Sequence, residues 1–361
     1  KREVSMKRKN ILTVLICAVL LTVGCGVSGC AAAGGGTESG EHTAQGMKYI
    51  EELSYEEALT SFDAALLNKE DPQAAYRGQG IAYMGLTDYE KAAECLERAL
   101  SYSDASLDQM DFDVNYYLAT AYYKLGELDK AKGVYEAIVA MRPKEKNAWY
   151  LKGVVELEQG DTEAAGADFD RAVAIDEKDY DLRIDIFCSY AEHGQQELGQ
   201  EYLQAVLDSD DKNLTDYNRG RMSFYLGDYS TARTELEKAK ETTGSSEVIS
   251  LLGQTYEALG DYNYAASVYS NYLNETPDAQ IYNQLGLCDL QIGEYEGALA
   301  AFQAGIAMEG NSLMQSLKFN EIVAYEYLGD FNQAKVLMQK YLETYPDDAR
   351  ARREYEFLET R

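Results

Sequence analysis

Residues 253–269 read Gly253-Gln-Thr-Tyr256-Glu-Ala-Leu-Gly260-Asp-Tyr262-Asn-Tyr-Ala265-Ala-Ser-Val-Tyr269. Gly260 suits a tight turn, because glycine adopts positive φ without steric cost. Gly253 and Ala265 are small enough to let two helices approach each other closely, and the aromatic residues fill the space that remains. The stretch therefore predicts a helical hairpin whose turn lies at Gly260.

The same pattern recurs along the chain. A small residue, an acidic residue, an aromatic residue and a later alanine return in Gly227-Asp228-Tyr229, Gly293-Glu294-Tyr295 and Gly329-Asp330-Phe331. The aligned small positions lie 33 to 39 residues apart, at Ala58, Ala92, Ala131, Ala165, Gly199, Ala232, Ala265, Ala298 and Ala334. One hairpin cannot bury its apolar faces alone, whereas a stack buries them continuously. The spacing therefore predicts about nine stacked hairpins.

This pattern resembles the tetratricopeptide repeat (TPR) family, whose period is near 34 residues. Prolines that close a repeat fall in register at Pro143, Pro277 and Pro346, and Trp149 occupies the family's Trp position. The resemblance implies an all-α, right-handed superhelical solenoid of about nine TPR hairpins, with a C-terminal capping helix at Ala349–Thr360. Two departures stand out, namely the fifth unit and an insertion near Ser101–Asp111.

The fifth unit has Phe187 and Gly199 where a small residue and alanine are usual. The long step before the third unit places the insertion in a loop between repeats.

The N-terminal segment has the order of a secretory signal. Met6 is followed by three basic residues, and the apolar run from Ile11 to Val23 is shorter than the roughly 20 residues of a membrane-spanning helix. Val27-Ser28-Gly29-Cys30 resembles the bacterial lipobox, which implies lipidation of Cys30. Thr22-Val23-Gly24-Cys25 is a poorer match, and an ordinary signal peptide with incidental cysteines is the alternative.

These segments predict three regions. Residues 1–29 form an N-terminal extension and lipoprotein signal peptide, 30–45 an Ala/Gly/Ser-rich flexible tether, and 46–361 the TPR array with its cap. We expect the protein on the extracytoplasmic face of a bacterial cell membrane, attached through Cys30.

Composition argues against several functions. The formal net charge of −29 repels nucleic acid phosphates, so no nucleic-acid partner is expected. The sequence contains two histidines, His42 and His193, and its cysteines lack metal-ligand spacing. No nucleophile, base and orienting residue can be named together. We therefore expect no enzyme activity, no cofactor and no metal site.

The TPR resemblance implies a concave groove, lined by the first helix of each hairpin, that binds a protein or peptide segment. The family's groove positions carry Arg77, Tyr116, Tyr123, Tyr150, Ile184, Tyr217, Arg221, Phe224, Asn283 and Phe319. None of the positions that clamp a terminal carboxylate in the best-known TPR grooves is Asn here, so that function is not expected. The sequence leaves three functions open: a lipid-anchored scaffold, a cell-wall or carbohydrate-binding lipoprotein, and a component of envelope assembly or secretion.

Overall fold

The computed structural model describes residues 40–103, 108–209, 211–308 and 310–361, and all regular structure within these ranges is helical. The helices in chain order are α1 (Glu41–Glu51), α2 (Tyr55–Leu67), α3 (Pro72–Gly85), α4 (Tyr89–Leu100), α5 (Gln109–Lys124), α6 (Leu128–Met141), α7 (Lys146–Glu158), α8 (Thr162–Ile175), α9 (Tyr180–Glu192), α10 (Gln196–Leu207), α11 (Asp216–Tyr225), α12 (Tyr229–Thr242), α13 (Ser246–Ala258), α14 (Tyr262–Leu273), α15 (Ala279–Ile292), α16 (Tyr295–Ile306), α17 (Met314–Tyr327), α18 (Phe331–Thr344) and α19 (Ala349–Glu359).

Eighteen of these described helices pair as nine successive hairpins, from α1–α2 to α17–α18, and α19 follows the last hairpin. The predicted repeat fold, including its C-terminal cap, is confirmed. The chain divides into two compact units, which we call unit 1 (residues up to Tyr202) and unit 2 (residues from Leu203), and the division falls within α10.

The acidic residue of the repeated turn caps the N-terminus of the second helix. The Asp228 carboxylate accepts a hydrogen bond from the Thr231 backbone N–H at 3.1 Å, and Asp261 does the same for Tyr264 at 3.2 Å. Such N-caps satisfy a backbone donor that has no partner within the helix. At the first two turns, Leu53 and Thr87 take the positive φ that glycine takes in later turns. The turn geometry is therefore retained even where the sequence lacks glycine.

Small residues on the first helices lie against large side chains of the second helices, as the sequence predicts. A Cβ atom added to Gly253 would lie 2.1 Å from a ring carbon of Tyr269. The same close approach pairs Gly46 with Phe62, Gly80 with Leu96, Gly153 with Phe169, Gly220 with Leu236, and Gly286 with Phe302. These contacts build the core of each hairpin, because the large side chains are fully buried.

The fifth hairpin carries a large residue where the other first helices carry a small one. Phe187 on α9 is buried, and a Cβ atom added to Gly199 on α10 would lie 2.8 Å from the Cα atom of Phe187. Gly199 takes the place of the usual alanine, and its missing methyl group leaves room for the backbone of Phe187. The two helices of the fifth hairpin therefore remain close although its first helix carries a large residue at this position.

The array begins earlier than the sequence suggested. Helix α1 begins at Glu41, inside the segment predicted as tether. The Glu70 carboxylate accepts hydrogen bonds from the backbone N–H groups of His42 and Thr43 at 3.0 and 2.9 Å, and so caps this helix from the loop after α2. The predicted insertion lies between α4 and α5, and its residues 104–107 are outside the described ranges.

The predicted signal peptide and Cys30 also lie outside the described residues. Among the helices that are described, none has the length and apolar character needed to cross a membrane.

Candidate functional site

Three tyrosines on the first helices of unit 1 keep part of their surface in solvent. Tyr116 and Tyr123 belong to α5 and Tyr150 to α7, and all three are half-buried. The Tyr150 hydroxyl shares a hydrogen bond with the Ser189 hydroxyl of α9, with 3.1 Å between the oxygens. We call Tyr116, Tyr123 and Tyr150 the tyrosine face. Its rings are held by the array while still presenting aromatic surface.

Carboxylates lie beside these rings. Burial raises the pKa of Tyr116, and the charge of Glu145 raises it further. Burial likewise raises the pKa of Tyr123, followed by the charges of Glu158 and Glu192. Burial also raises the pKa of Glu192 itself. The tyrosine face is therefore bordered by negative charge in a partly desolvated setting.

The predicted groove residue Arg77 lies on α3 and is engaged within the protein. Its guanidinium forms an ion pair with Asp113 of α5 and lies 5.9 Å above the ring centre of Tyr117. The pair joins two successive first helices. A ligand that binds Arg77 must therefore compete with Asp113.

The predicted groove residues of unit 2 begin on α11. The Arg221 guanidinium lies 5.3 Å from the ring centre of Tyr217. Phe224 packs edge-on against Tyr229, with 5.5 Å between ring centres. Tyr217, Arg221 and Phe224 are all half-buried, so this helix also presents aromatic surface with one cation beside it.

Further along unit 2 the first helices carry amides. Asn283 of α15 accepts a hydrogen bond from the Asn320 side chain of α17 at 2.9 Å. The side-chain nitrogens of Gln254, Gln280 and Gln284 all point to the Ser250 hydroxyl, at 3.0, 3.2 and 2.7 Å. We call Ser250, Gln254, Gln280 and Gln284 the amide cluster. It joins α13 to α15.

Two predicted groove residues are placed in the core instead. Ile184 is 3% exposed and Phe319 is 5% exposed. Phe319 packs edge-on against Tyr341, and the Arg350 guanidinium covers it at 4.3 Å from the ring centre. Both side chains stabilise their hairpins, and neither offers a ligand appreciable surface in this structure. The position within the repeat did not distinguish them from the exposed aromatic residues.

The amide cluster and Asn320 were missed by the sequence analysis. Ser250 and Gln254 are spaced i, i+4 on one helix, and Gln280 and Gln284 repeat this spacing on the next first helix. Residues at this spacing share a helix face. This regular spacing could have predicted the cluster from the sequence. The identity of the residues at the clamp positions did not predict it.

Groups capable of catalysis are engaged in structural contacts. His193 uses Nδ1 for the Ser189 carbonyl at 2.7 Å and Nε2 for Glu158 at 3.0 Å. Burial raises the pKa of the Cys95 thiol to about 11 and that of Cys288 to about 12, so both thiols are poor nucleophiles near neutrality. The described residues contain no group of three or more His, Cys, Asp or Glu side chains placed to hold a metal ion.

The fold defines a helical-repeat protein built from stacked hairpins. A sequence profile described as tetratricopeptide repeat matches residues 43–109, 77–131, 116–180 and 250–311, and a second TPR profile matches residues 319–348. These matches span more than half of the chain. The chain therefore belongs to the tetratricopeptide repeat family, whose members are typically scaffolds for protein–protein interaction.

Solved structures with a similar fold include the following three. A tetratricopeptide repeat protein from Parabacteroides merdae is 17% identical over 79% of this chain and 97% of its own, with a TM-score of 0.45. PilF of Pseudomonas aeruginosa is 19% identical over 61% of this chain and 98% of its own, with a TM-score of 0.40. YrrB, described as having an unusual peptide-binding site, is 16% identical over 62% of this chain and 97% of its own, with a TM-score of 0.35. At these identities the likeness concerns the fold alone. No curated protein matches the chain.

Proposed function

We propose that this protein is a lipid-anchored scaffold that binds a protein segment along the first helices of its hairpins. The observation that carries the proposal is the tyrosine face. Tyr116, Tyr123 and Tyr150 are half-buried, whereas Phe169 of the same unit is fully buried. A stacked array needs the fully buried rings for its stability, and the half-exposed rings are available for a ligand.

Such rings suit protein recognition. Tyrosine provides a large contact area, a polar tip and few rotatable bonds, so little entropy is lost when it is held against a partner. Aromatic residues desolvated at the centre of an interface often contribute about 2 kcal/mol or more each. The neighbouring carboxylates of Glu145, Glu158 and Glu192 would govern the association rate and its salt dependence more than the affinity.

The aromatic surface of α11 in unit 2 extends the proposal. Tyr217 and Phe224 are half-buried in the same manner, and Arg221 places a cation beside Tyr217. This surface suits an apolar residue of a partner. Each unit therefore offers its own aromatic anchor points.

Anchoring at the membrane is proposed from the sequence. Val27-Ser28-Gly29-Cys30 follows a basic and then an apolar segment, which supports lipidation at Cys30 and display on the extracytoplasmic face of a bacterial cell membrane. The small and polar residues after Cys30 would let the array reach partners near the membrane.

Affinity capture from detergent-solubilised membranes, with the full chain as bait, tests the scaffold proposal. Tyr123→Ala and Phe224→Ala should each weaken binding of the captured partner at least tenfold, since each removes an anchor. Tyr264→Ala is the matched control, because Tyr264 lies on the second helix α14 and is 45% exposed.

Equal effects from all three variants, or none from the first two, would contradict binding at the first helices. A parallel assay with purified cell-wall glycan tests the carbohydrate alternative. Retention of glycan without any captured protein would favour that alternative.

A further inference from the structure

The imidazole ring of His193 lies between two oxygen acceptors. Its Nδ1 atom is 2.7 Å from the backbone carbonyl oxygen of Ser189, and its Nε2 atom is 3.0 Å from Oε2 of Glu158. Glu158 is the last residue of α7 and His193 directly follows α9, so the ring joins two successive first helices. The His193 side chain is 21% exposed and the Glu158 side chain 49% exposed. The contact is therefore positioned by the array but remains open to water and its protons.

A neutral imidazole does not satisfy both contacts. It has one N–H donor and one nitrogen lone pair, whereas a carbonyl and an ionised carboxylate only accept. With the proton on Nδ1, the lone pair of Nε2 faces Glu158, and the other tautomer directs a lone pair at the Ser189 carbonyl. Rotating the ring by half a turn would place carbon atoms against both oxygens. The arrangement therefore requires one proton more than neutral His193 and ionised Glu158 carry together.

The surroundings of the ring favour a positive charge. His193 lies at the C-terminal end of α9, where the helix dipole stabilises a cation. Burial raises the pKa of the adjacent Glu192, and the nearby charge of His193 lowers it. The contact with α8 beside the ring is neutral, since the Gln195 amide donates to the Thr162 hydroxyl at 2.7 Å. Because imidazole groups generally change charge between about pH 5 and pH 8, the additional proton is expected at mildly acidic pH and lost at alkaline pH.

Glu158 connects this contact to the tyrosine face. Burial raises the pKa of Tyr123, followed by the charges of Glu158 and Glu192 and by the hydrogen bond that the Tyr123 hydroxyl donates to Glu158. The hydroxyl therefore keeps its proton and remains a donor near neutral pH. On the same helix, the Lys124 ammonium lies 5.9 Å from the ring centre of Tyr123. One carboxylate thus binds the Tyr123 hydroxyl of α5 and the His193 ring at the end of α9.

We propose that the His193–Glu158 pair is a proton-dependent switch that orders Tyr123, a regulatory role that rests on the proposed scaffold function. With the additional proton present, Glu158 is held between the imidazolium and the Tyr123 hydroxyl, and the tyrosine ring is fixed. Without this proton, the lone pair of Nε2 repels the carboxylate, which turns into solvent and leaves the hydroxyl without its acceptor. A ring that is ordered before a partner arrives loses less entropy on binding, so mildly acidic pH favours binding at the tyrosine face.

The test uses the full chain with ¹³C-labelled histidine and tyrosine rings, observed by NMR between about pH 5.5 and pH 8. The chain contains two histidines, and Tyr123→Phe identifies the Tyr123 signal. The ring resonances of Tyr123 and His193 should titrate together. His193→Gln should abolish the pH-dependent shift of Tyr123. His42→Gln is the matched control and should leave that shift unchanged.

Glu158→Gln distinguishes the switch from a direct effect of the imidazolium charge on the tyrosine ring. A glutamine amide accepts from an N–H group or donates to a lone pair, so it satisfies both forms of His193. In this variant His193 should still titrate while the Tyr123 resonances no longer shift. A Tyr123 shift that persists would overturn the switch. Circular dichroism verifies that each variant is folded, and Glu158→Gln keeps the test valid if His193→Gln does not fold.

Binding provides the functional measurement. A partner captured by the full chain should bind about two- to fivefold more tightly at pH 6 than at pH 8, which is the effect of a partly exposed ion pair. This ratio should fall to about one in Glu158→Gln when it is corrected for the pH dependence of His193→Gln.

An equal ratio in the parent and in Glu158→Gln, or Tyr123 and His193 resonances that titrate independently, overturns the switch. The scaffold function still stands in that case if Tyr123→Ala weakens binding of the captured partner. If Tyr123→Ala has no effect on capture while the two resonances titrate together, the tyrosine face is not the binding site and the proton-dependent ordering of Tyr123 is retained.

Discussion

Gly253→Ala tests the contact on which each hairpin depends. The added methyl carbon would lie 2.1 Å from Cζ and 2.2 Å from Cε1 of Tyr269. Tyr269 is fully buried, and its hydroxyl donates a hydrogen bond to Glu257 at 2.7 Å. The ring therefore has no free space into which it can move.

The expected change in the free energy of unfolding is the sum of opposing contributions. Carbon atoms pack best at about 3.5–4.0 Å, so the ring or the helix must move by more than about 1 Å. Overpacking of this kind costs about 1–3 kcal/mol. Moving the ring also breaks the hydrogen bond to Glu257, which contributes about 1.5–3 kcal/mol when the acceptor is charged. Alanine in place of glycine returns about 1 kcal/mol of helix propensity. With the hydrogen bond lost, we expect a net loss of about 1.5–5 kcal/mol.

Urea denaturation followed by circular dichroism measures the loss, and hydrogen exchange of α13 and α14 localises it. The local measurement is needed because a repeat array need not unfold in one step. Gly133→Ala is the control, because Gly133 lies exposed in α6 and a Cβ atom there would meet nothing within 4 Å. That variant should gain about 0.5–1 kcal/mol.

The double variant Gly253→Ala/Tyr269→Leu should recover exchange protection in α13 relative to Tyr269→Leu alone, since the smaller side chain leaves room for the methyl group. A Gly253→Ala protein as stable as the parent, or stabilised like Gly133→Ala, would refute the close contact between the two helices.

Two further predictions concern the chain ends. Cys30→Ala should abolish acyl labelling and lipoprotein processing while Cys25→Ala leaves both intact, as shown by metabolic labelling with a fatty acid; the reverse result would move the lipidation site to Cys25. At the other end, burial first and then the nearby Glu354 raise the pKa of Glu326 from 4.5 to about 7. The folded state therefore binds the Glu326 proton more tightly than the unfolded state. Protonation of Glu326 stabilises the folded state fully below about pH 4.5, and this stabilisation is lost as the pH rises through 7. Hydrogen exchange in α19 should accelerate between about pH 5 and pH 8 beyond its intrinsic pH dependence, and Glu326→Gln should remove the excess; an equal acceleration in that variant would show that Glu326 is not the titrating group.

The hairpins could be predicted because their determinants are local. The small residue, the capping aspartate and the aromatic residue lie within one turn and its two flanking helices, so one repeat contains the whole signal. Leu53 and Thr87 take the positive φ of the turn themselves, so the hairpin forms even where the turn glycine is missing. The repeated alanine positions then fixed the number of hairpins without any knowledge of long-range contacts.

The start of the array could not be predicted in this way. The cap of α1 comes from Glu70, which follows α2 and is distant in sequence from the N–H groups it satisfies. The small and polar residues before Gly46 resemble a tether in composition, whereas Glu41–Glu51 is helical in the structure.

The predicted groove residues differ in exposure for a related reason. Tyr116, Tyr150 and Phe319 occupy the same position in their repeats, yet two are half-buried and one is buried beneath Arg350. Repeat position gives the direction of a side chain along its own helix. The neighbouring elements decide what covers it, and the capping helix that carries Arg350 is not part of the repeat.

The close contact of Phe187 and Gly199 has a consequence for recombination between repeats. Arrays of this kind grow and shrink when recombination duplicates, deletes or shuffles single repeats, which requires the helices of different repeats to be interchangeable. A crossover that joined α9 to the second helix of another repeat would set Phe187 against alanine, where even the Cβ of a residue at Gly199 would lie 2.8 Å from the Phe187 backbone. A recombination event that moves α9 and α10 together avoids this clash, because the glycine that Phe187 requires then travels with it.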